Sequence, residues 1–227
     1  MPSLRPDNAP APRIGVVDYG MGNLRSVANA LATIGADVAW VREPVNLRGC
    51  DGLVLPGVGA LRDCVAALAA EELDVAIRDW IAADRPFLGV CLGLQALFEH
   101  SEEADARGLG VFAGSVRRFR LPPAFKVPHM GWNSIRFRAP EAASDPLRAG
   151  LAEDGDYFYF VHSYHCVPDD PSLTWCTADY NGAFCAGIRR GHCYAMQFHP
   201  EKSQAKGLRL YRNFADLCAR HPATAVA

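Results

Sequence analysis

The chain has 227 residues, of which 50% are hydrophobic, and its 23 basic and 25 acidic side chains leave a formal net charge of −2. Such a balance excludes the strongly basic surface with which proteins bind nucleic acid or an anionic membrane, so we expect neither as a partner. The length suits one domain with its own hydrophobic core.

The ends of the chain and its cysteines bear on the compartment. The first twelve residues contain four prolines and lack the apolar segment of a signal peptide. No later stretch reaches the ~18 apolar residues of a membrane helix. The eight cysteines form no CxxC pair and are interpreted as reduced thiols. We expect a soluble, cytoplasmic protein with a disordered arm at 1–12, one domain at 13–221 and a tail at 222–227.

The first half of the chain alternates strand-like and helix-like segments, as a parallel α/β sheet does. Apolar runs predict strands at 14–20, 36–41, 52–59 and 86–90. Helical patterns lie at 24–35, with Asn23 as the cap, in a long alanine-rich stretch that ends near Ala83, and at 92–100.

The second half is rich in short β segments. These are predicted at 111–119, 129–137, 157–167, 173–180, 183–190 and 193–198. An Asn-Gly pair at 181–182 predicts a hairpin, and a last helix is predicted from about 204 to 219. The fold class is therefore α/β, with an open, mostly parallel sheet flanked by helices and added antiparallel strands in the C-terminal half.

Cys91 stands at the end of a predicted strand, in the sequence GVCLG. A nucleophile at a sharp turn from strand to helix needs glycines on both sides, because the backbone there passes close to its neighbours. In open α/β sheets ligands bind outside the carboxyl ends of the strands, which is where Cys91 is expected. Cys91 is therefore the candidate nucleophile.

A cysteine nucleophile needs a base, and the base needs a group that orients it. His199 follows the strand 193–198, and Glu201 comes two residues later with a proline between them. This spacing can place imidazole and carboxylate in one cleft with Cys91. In the third strand, PGVG at 56–59 can turn backbone amides toward the same point, so the amides of Gly57 or Val58, with that of Leu92, form a candidate oxyanion hole.

These motifs together resemble the class I (triad) glutamine amidotransferases. PGVG, GVCLGLQ and QFHPEKS stand in the order of that family, and the match extends from Ile14 to Leu217. Within the family, DYGMGNLRSV at 18–27, PHMGWN at 128–133 and HPEKS at 199–203 are similar to the glutaminase subunits of imidazole glycerol phosphate synthase. The arm before Arg13 lies outside the resemblance.

The resemblance implies hydrolysis of L-glutamine to glutamate and ammonia through a thioester on Cys91. His199 is the implied acid and base, Glu201 orients it, and no cofactor or metal is implied. The implied contacts to glutamine are Gly57, Gln95, Ser163 and Tyr164. Gln95 lies one helical turn after the nucleophile, which fits a place in the same pocket independently of the resemblance.

The resemblance also implies a partner, the cyclase subunit of imidazole glycerol phosphate synthase, which uses the ammonia in histidine biosynthesis. The candidate residues of the partner surface are Met21, Asn23, Met130, Trp132 and Lys202. An aromatic residue in a loop flanked by polar residues is typical of an interface anchor. Buried packing of Trp132 and an ordinary solvated role for Lys202 remain alternatives at this point.

Two other interpretations belong to different functional classes. The GMG sequence at 20–22 follows a strand and precedes a helix, as in a dinucleotide-binding loop, but Arg25 stands in the place of the third glycine. His162, His165 and Cys166 suggest a metal site, although residues three apart on a strand point to opposite faces.

Two further alternatives keep the fold. Other amidotransferase glutaminases, such as those of anthranilate or purine synthesis, share the triad, and the motifs at 18–27 and 128–133 argue against them. A non-catalytic module that only binds a partner is the last alternative. The intact set of Cys91, His199 and Glu201 argues against it.

Overall fold

The computed structural model describes residues 10–138, 145–152 and 155–223. Residues 1–9 of the predicted arm and 224–227 of the predicted tail lie outside these ranges. In the described ranges no helix has both the length and the apolar character needed to cross a membrane.

Five parallel strands form one half of the sheet. They are β1 (Arg13–Val17), β2 (Asp37–Val41), β3 (Gly52–Gly57), β4 (Phe87–Cys91) and β13 (Cys193–Met196). Their order across the sheet is β2-β1-β3-β4-β13. Every residue of β3, β4 and β13 is buried, as expected of parallel strands that are covered on both faces.

The sheet continues beyond β13 with mostly antiparallel strands. Along one path these are β12 (Ala183–Arg190), β10 (Tyr164–Pro168), β7 (Phe112–Arg118), β5 (Phe98–Ser101) and β6 (Ala106–Arg107). A branch from β12 carries β11 (Thr174–Asp179), β8 (His129–Phe137) and β9 (Tyr157–His162). The predicted fold class is confirmed, and β11 and β12 form the hairpin that the Asn-Gly pair predicts, with Asn181 and Gly182 both at positive φ.

Helices cover both faces of the parallel strands. Their bounds are α1 (Leu24–Thr33), α2 (Leu61–Ala70), α3 (Leu73–Ala82), α4 (Leu92–Gln95) and α5 (Gln204–Arg220). One hydrophobic cluster joins β1, β3 and β4 to α1 and α5, and a second joins the other face of these strands to α2 and α3. The carboxyl ends of β3, β4 and β13 remain at one edge between these layers.

Most predicted elements differ by a few residues at their ends, and three differ in type or continuity. The helix predicted at 92–100 ends at Gln95, because Phe98–Ser101 leaves the helix to pair with β7 as strand β5. The alanine-rich stretch is two helices, separated where Glu72 adopts a left-handed conformation. The strand predicted at 157–167 is interrupted at Ser163. Asn23 begins α1 without a side-chain cap bond to the backbone, since its Oδ1 accepts from the Ser26 hydroxyl at 2.7 Å.

Candidate active site

Cys91 has an unusual backbone conformation, with φ 54° and ψ −106°. It ends β4 and immediately precedes α4, so the strand turns sharply into the helix at this residue. A positive φ in a residue other than glycine is strained and persists only where the surrounding structure holds it. The predicted nucleophile therefore lies at the predicted sharp turn.

The glycines on either side of Cys91 are needed for packing. A Cβ atom on Gly93 would lie 2.0 Å from the carbonyl oxygen of Leu55 in β3, and one on Gly89 would lie 2.8 Å from the Cβ of Ala195 in β13. The turn is thus pressed against both neighbouring strands. Gly57 is equally confined, since a Cβ there would lie 2.8 Å from the Leu92 Cβ and from the Tyr19 hydroxyl.

His199 and Glu201 form a buried pair beside this turn. His199 Nδ1 lies 2.8 Å from Glu201 Oε1, and both side chains are almost fully buried. Two hydrogen bonds hold the backbone of His199. Its N–H donates to the Tyr159 carbonyl of β9 at 2.9 Å, and its carbonyl accepts from the Ser203 hydroxyl at 2.7 Å. The Tyr211 hydroxyl of α5 donates to the other oxygen of Glu201 at 3.5 Å.

The electrostatic surroundings of His199 favour its protonated form. Burial lowers the pKa of His199, but the Cys91 side chain and the Glu201 carboxylate raise it more, so that its pKa is raised to about 10. Within the described part of the chain, Nε2 of His199 is buried and has no hydrogen-bond partner. With Nδ1 bonded to Glu201, Nε2 is the nitrogen left for exchange of a proton.

A pocket of about 340 Å³ opens over these groups. Cys91 and His199 line it, together with Val58, Leu92, Gln95, Ser163 and Tyr164 of the predicted site. Gly57 is the residue of β3 that pairs with Cys91 of β4. The structure therefore brings together the predicted nucleophile, base, oxyanion and glutamine-contact residues at one edge of the sheet.

Gln95 is more constrained than the sequence suggests. Its Nε2 donates to the Tyr164 carbonyl at 3.2 Å and to Gln197 Oε1 at 3.0 Å. Gln197 Nε2 in turn donates to Cys91 Sγ at 3.6 Å. Sequence analysis missed Gln197, although a glutamine within the buried run of 193–198 was a visible signal, because a buried polar side chain needs a partner.

Three further residues at the site were also missed. Glu103 lines the pocket and accepts from the Leu61 N–H at 2.9 Å. His162 lines the pocket as well, and His129 Nδ1 lies 2.9 Å from His162 Nε2. No local motif indicates these contacts, because the paired residues are far apart in the sequence.

The predicted partner residues divide into two groups. Met130 and Trp132 are 61% and 47% exposed. The Trp132 and Tyr159 ring centroids are 6.3 Å apart, and Lys202 Nζ lies 5.6 Å from the Tyr159 ring centroid. Trp132 and Lys202 therefore share one surface. Met21 and Asn23 are half-buried in the loop before α1, and α1 contacts the turn that carries Lys202. Buried packing of Trp132 is thus not its role in this structure.

The metal interpretation finds no counterpart in the described ranges, where no group of three or more His, Cys, Asp or Glu side chains is arranged to hold an ion. His165 stacks on Phe119 at 4.7 Å, while His162 faces the pocket. All eight cysteines are buried free thiols.

Comparisons with known proteins identify the family of the chain. The family model described as glutamine amidotransferase class-I matches residues 15–217. A protein of Rhodopirellula baltica named imidazole glycerol phosphate synthase subunit HisH is 48% identical over 203 residues, which are 89% of this chain and 96% of that protein. A protein of the same name from Synechococcus sp. (strain JA-3-3Ab) is 47% identical over 92% of this chain and 96% of its own.

Solved structures show the same fold at low identity. The structure titled PurLQS from Thermotoga maritima has a TM-score of 0.72 at 18% identity and covers 92% of this chain and 99% of that one. Another, titled glutamine amidotransferase, has a TM-score of 0.69 at 20% identity over 90% of this chain and 98% of its own. The chain belongs to the class-I glutamine amidotransferase family. Within that family it belongs with the subunits named HisH.

Proposed function

We propose that this chain hydrolyses L-glutamine to glutamate and ammonia with Cys91 as nucleophile, His199 as acid and base, and Glu201 as the group that orients His199. The observation that carries the proposal is a strained cysteine and a carboxylate-bound histidine on one pocket. A volume of about 340 Å³ suits a ligand the size of an amino acid.

The proposed reaction has two steps, formation of a thioester on Cys91 and its hydrolysis. The Cys91 thiolate forms a bond to the carboxamide carbon of glutamine, and the electrons of the C=O bond move to oxygen. When the tetrahedral species collapses, the C–N bond breaks and His199 supplies the proton with which ammonia leaves. A water molecule then attacks the thioester and gives a proton to His199, and the sulfur leaves as thiolate with release of glutamate.

Backbone amides would hold the negative oxygen. Leu92 directly follows the nucleophile, and Gly57 and Val58 end the neighbouring strand, so their N–H groups are the proposed donors. Gln95 uses its amide N–H groups internally, which leaves Oε1 free to accept from the substrate. Ser163 and Tyr164 also line the pocket and are proposed to contact the amino-acid end of glutamine.

The ammonia would pass to the cyclase subunit of imidazole glycerol phosphate synthase, for the formation of imidazole glycerol phosphate and an aminoimidazole carboxamide ribonucleotide. This part of the proposal follows from the names of relatives that match over about nine-tenths of the chain. The proposed docking surface comprises Met130, Trp132 and Lys202, with Met21 and Asn23 at its margin. The eight free thiols suit a reducing compartment, and we place the activity in the cytoplasm.

Replacement of the nucleophile tests the proposal. In Cys91→Ser the weaker hydroxyl nucleophile should lower the rate of glutamine hydrolysis by at least about 10³-fold, because the covalent step is lost. The assay measures glutamate production in the presence of the cyclase subunit. Cys50→Ser, at a buried cysteine between β2 and β3, is the matched control and should retain the rate. Full activity of Cys91→Ser would overturn the assignment.

A further inference from the structure

We propose that Gln197 is a hydrogen-bond donor to the nucleophilic sulfur and that Gln95 is the positioning residue that orients the Gln197 amide. This inference rests on the proposed function of Cys91. Gln197 is 0% exposed and lies one residue beyond β13, next to the end of β4. Its Nε2 donates to Cys91 Sγ at 3.6 Å.

The orientation of the Gln197 amide follows from its other contact. A carboxamide has one accepting end and one donating end. Gln95 Nε2 lies 3.0 Å from Gln197 Oε1, and the second N–H of Gln95 is directed to the Tyr164 carbonyl at 3.2 Å. Because a backbone carbonyl can only accept, Gln95 presents its nitrogen to both partners. Gln197 must then turn its oxygen to Gln95 and its nitrogen to Cys91.

The hydrogen bond from Gln197 to Cys91 bears on the reactivity of the sulfur. Burial of an amide is costly unless both of its ends are hydrogen-bonded, and here one of the two partners is the reacting sulfur. An N–H donor stabilises a thiolate more than a thiol, because hydrogen bonds to charged acceptors are the stronger ones. The same donor assists the sulfur when it leaves as an anion from the thioester. His199 Nε2 is thereby free to move protons.

Six other titratable groups lie around Cys91 on the neighbouring elements. They are Tyr19, Glu103, His162, Cys166, His199 and Glu201. Burial raises the pKa of Tyr19 and of Cys166 and lowers the pKa of His162, which keeps these three groups neutral near pH 7. His199, bonded to Glu201, is the cationic group among these neighbours, and Gln197 is a neutral donor to the sulfur.

The test measures the reactivity of the sulfur rather than turnover. Iodoacetamide is applied to the full chain from about pH 6 to about pH 9, and alkylation of the Cys91 peptide is followed by mass spectrometry. In Gln197→Met, which keeps length but cannot donate, alkylation near pH 7 should slow about tenfold and the profile should move to higher pH. Gln95→Met should slow alkylation near pH 7 about threefold and move the profile in the same direction, because the Gln197 amide is then free to turn.

Asn213→Leu is the matched control, because Asn213 is a buried amide on α5 that donates to Leu147 O at 2.8 Å and to Ala149 O at 2.9 Å. It should melt at a lower temperature yet keep the wild-type alkylation profile. An unchanged profile in Gln197→Met, or an equal shift in the control, overturns the inference. If Gln197→Met does not fold, an unchanged profile in Gln95→Met overturns it as well.

This outcome is separable from that of the proposed function. Retained hydrolysis by Cys91→Ser would overturn the role of Cys91 in catalysis, whatever the alkylation profiles show. An inactive Cys91→Ser with unchanged profiles in both glutamine variants would overturn the role of Gln197 alone.

Discussion

His129 and His162 are buried side by side, and the hydrogen bonds around them define which nitrogens carry protons. His162 Nδ1 lies 2.7 Å from the Tyr164 carbonyl, which can only accept, so Nδ1 is protonated. Nε2 of a neutral His162 must then accept from His129 Nδ1 at 2.9 Å. His129 Nε2 in turn accepts from Asn133 Nδ2 at 3.3 Å. This assignment satisfies every nitrogen with both rings neutral.

The pair predicts a loss of stability in mild acid. Burial lowers the pKa of His129 to about 4 and that of His162 to about 3, below the ordinary value of 6.5. Below that value the unfolded chain binds protons that the folded chain does not, so stability falls as the pH drops from about 6.5 toward 4. Each histidine contributes a slope of about 1.4 kcal/mol per pH unit within this window.

Urea unfolding at several pH values checks this expectation. His162→Gln should reduce the slope of the unfolding free energy between about pH 6 and about pH 5, because one group that titrates only on unfolding is gone. Asn213→Leu, which replaces a buried side chain that does not titrate, is the control and should leave the slope unchanged. Identical slopes for wild type and His162→Gln would contradict the assignment of a neutral pair.

Asp145 is the centre of a second group of buried polar side chains, outside the proposed active site. Its carboxylate accepts from Trp175 Nε1 at 2.8 Å, from the Tyr194 hydroxyl at 3.0 Å and from Arg189 at 3.0 Å. It also caps the short 3₁₀ helix that follows it by accepting from the Leu147 N–H at 2.9 Å. Four donors from three parts of the chain therefore depend on one side chain.

Removal of that carboxylate should be strongly destabilising. Asp145→Ala leaves buried donors and a partly buried guanidinium without a partner, and we expect a loss of about 3–5 kcal/mol in the free energy of unfolding. Asp74→Ala removes an ion pair on the surface of α3, with Arg78 at 2.8 Å, and should cost less than about 1 kcal/mol. Urea titration distinguishes the two, and similar losses would contradict the central role of Asp145.

At the scale of elements, the turn from β4 into α4 depends on the absence of side chains. In Gly93→Ala the new Cβ would meet the Leu55 carbonyl at 2.0 Å, so β3 and β4 would have to separate. We expect a loss of at least about 3 kcal/mol, with much of the protein insoluble. Gly35→Ala, at positive φ in open space beyond α1, carries only backbone strain of about 1 kcal/mol and is the control.

Local sequence patterns were sufficient to predict elements with a regular burial pattern, such as the fully buried strand β3 and the helix α5 with its one buried face. They were insufficient where a distant pairing partner determines the secondary structure. The run at 92–100 has helical periodicity, yet Phe98 pairs with Phe112 of β7 and the helix ends at Gln95. The contact of Gln197 with Cys91 spans 106 residues of sequence and depends on β4 and β13 being neighbours. The proposed catalytic residues lie in recognisable local motifs, whereas no local motif indicates the contact of Gln197 with one of them.

At the scale of the whole molecule, strand β8 joins the pocket to the outer surface. His129 points inward to His162, while the alternate residues Met130 and Trp132 point outward and remain exposed. Tyr159 of β9 lies between the Trp132 ring and the Lys202 ammonium. Two exposed apolar side chains near a cation are the composition expected of a site that docks another protein.

Binding of the cyclase subunit should therefore depend on this surface. Trp132→Ala removes an aromatic side chain that is 47% exposed and has little role in the core, so we expect the dissociation constant to rise by roughly 30-fold, about 2 kcal/mol, with the melting temperature unchanged. Trp40→Ala is the matched control, since Trp40 is 40% exposed on the edge strand β2 at the far side of the sheet. Calorimetric titration with the cyclase measures both. Equal weakening by the two substitutions, or none by Trp132→Ala, would move the docking surface elsewhere on the molecule.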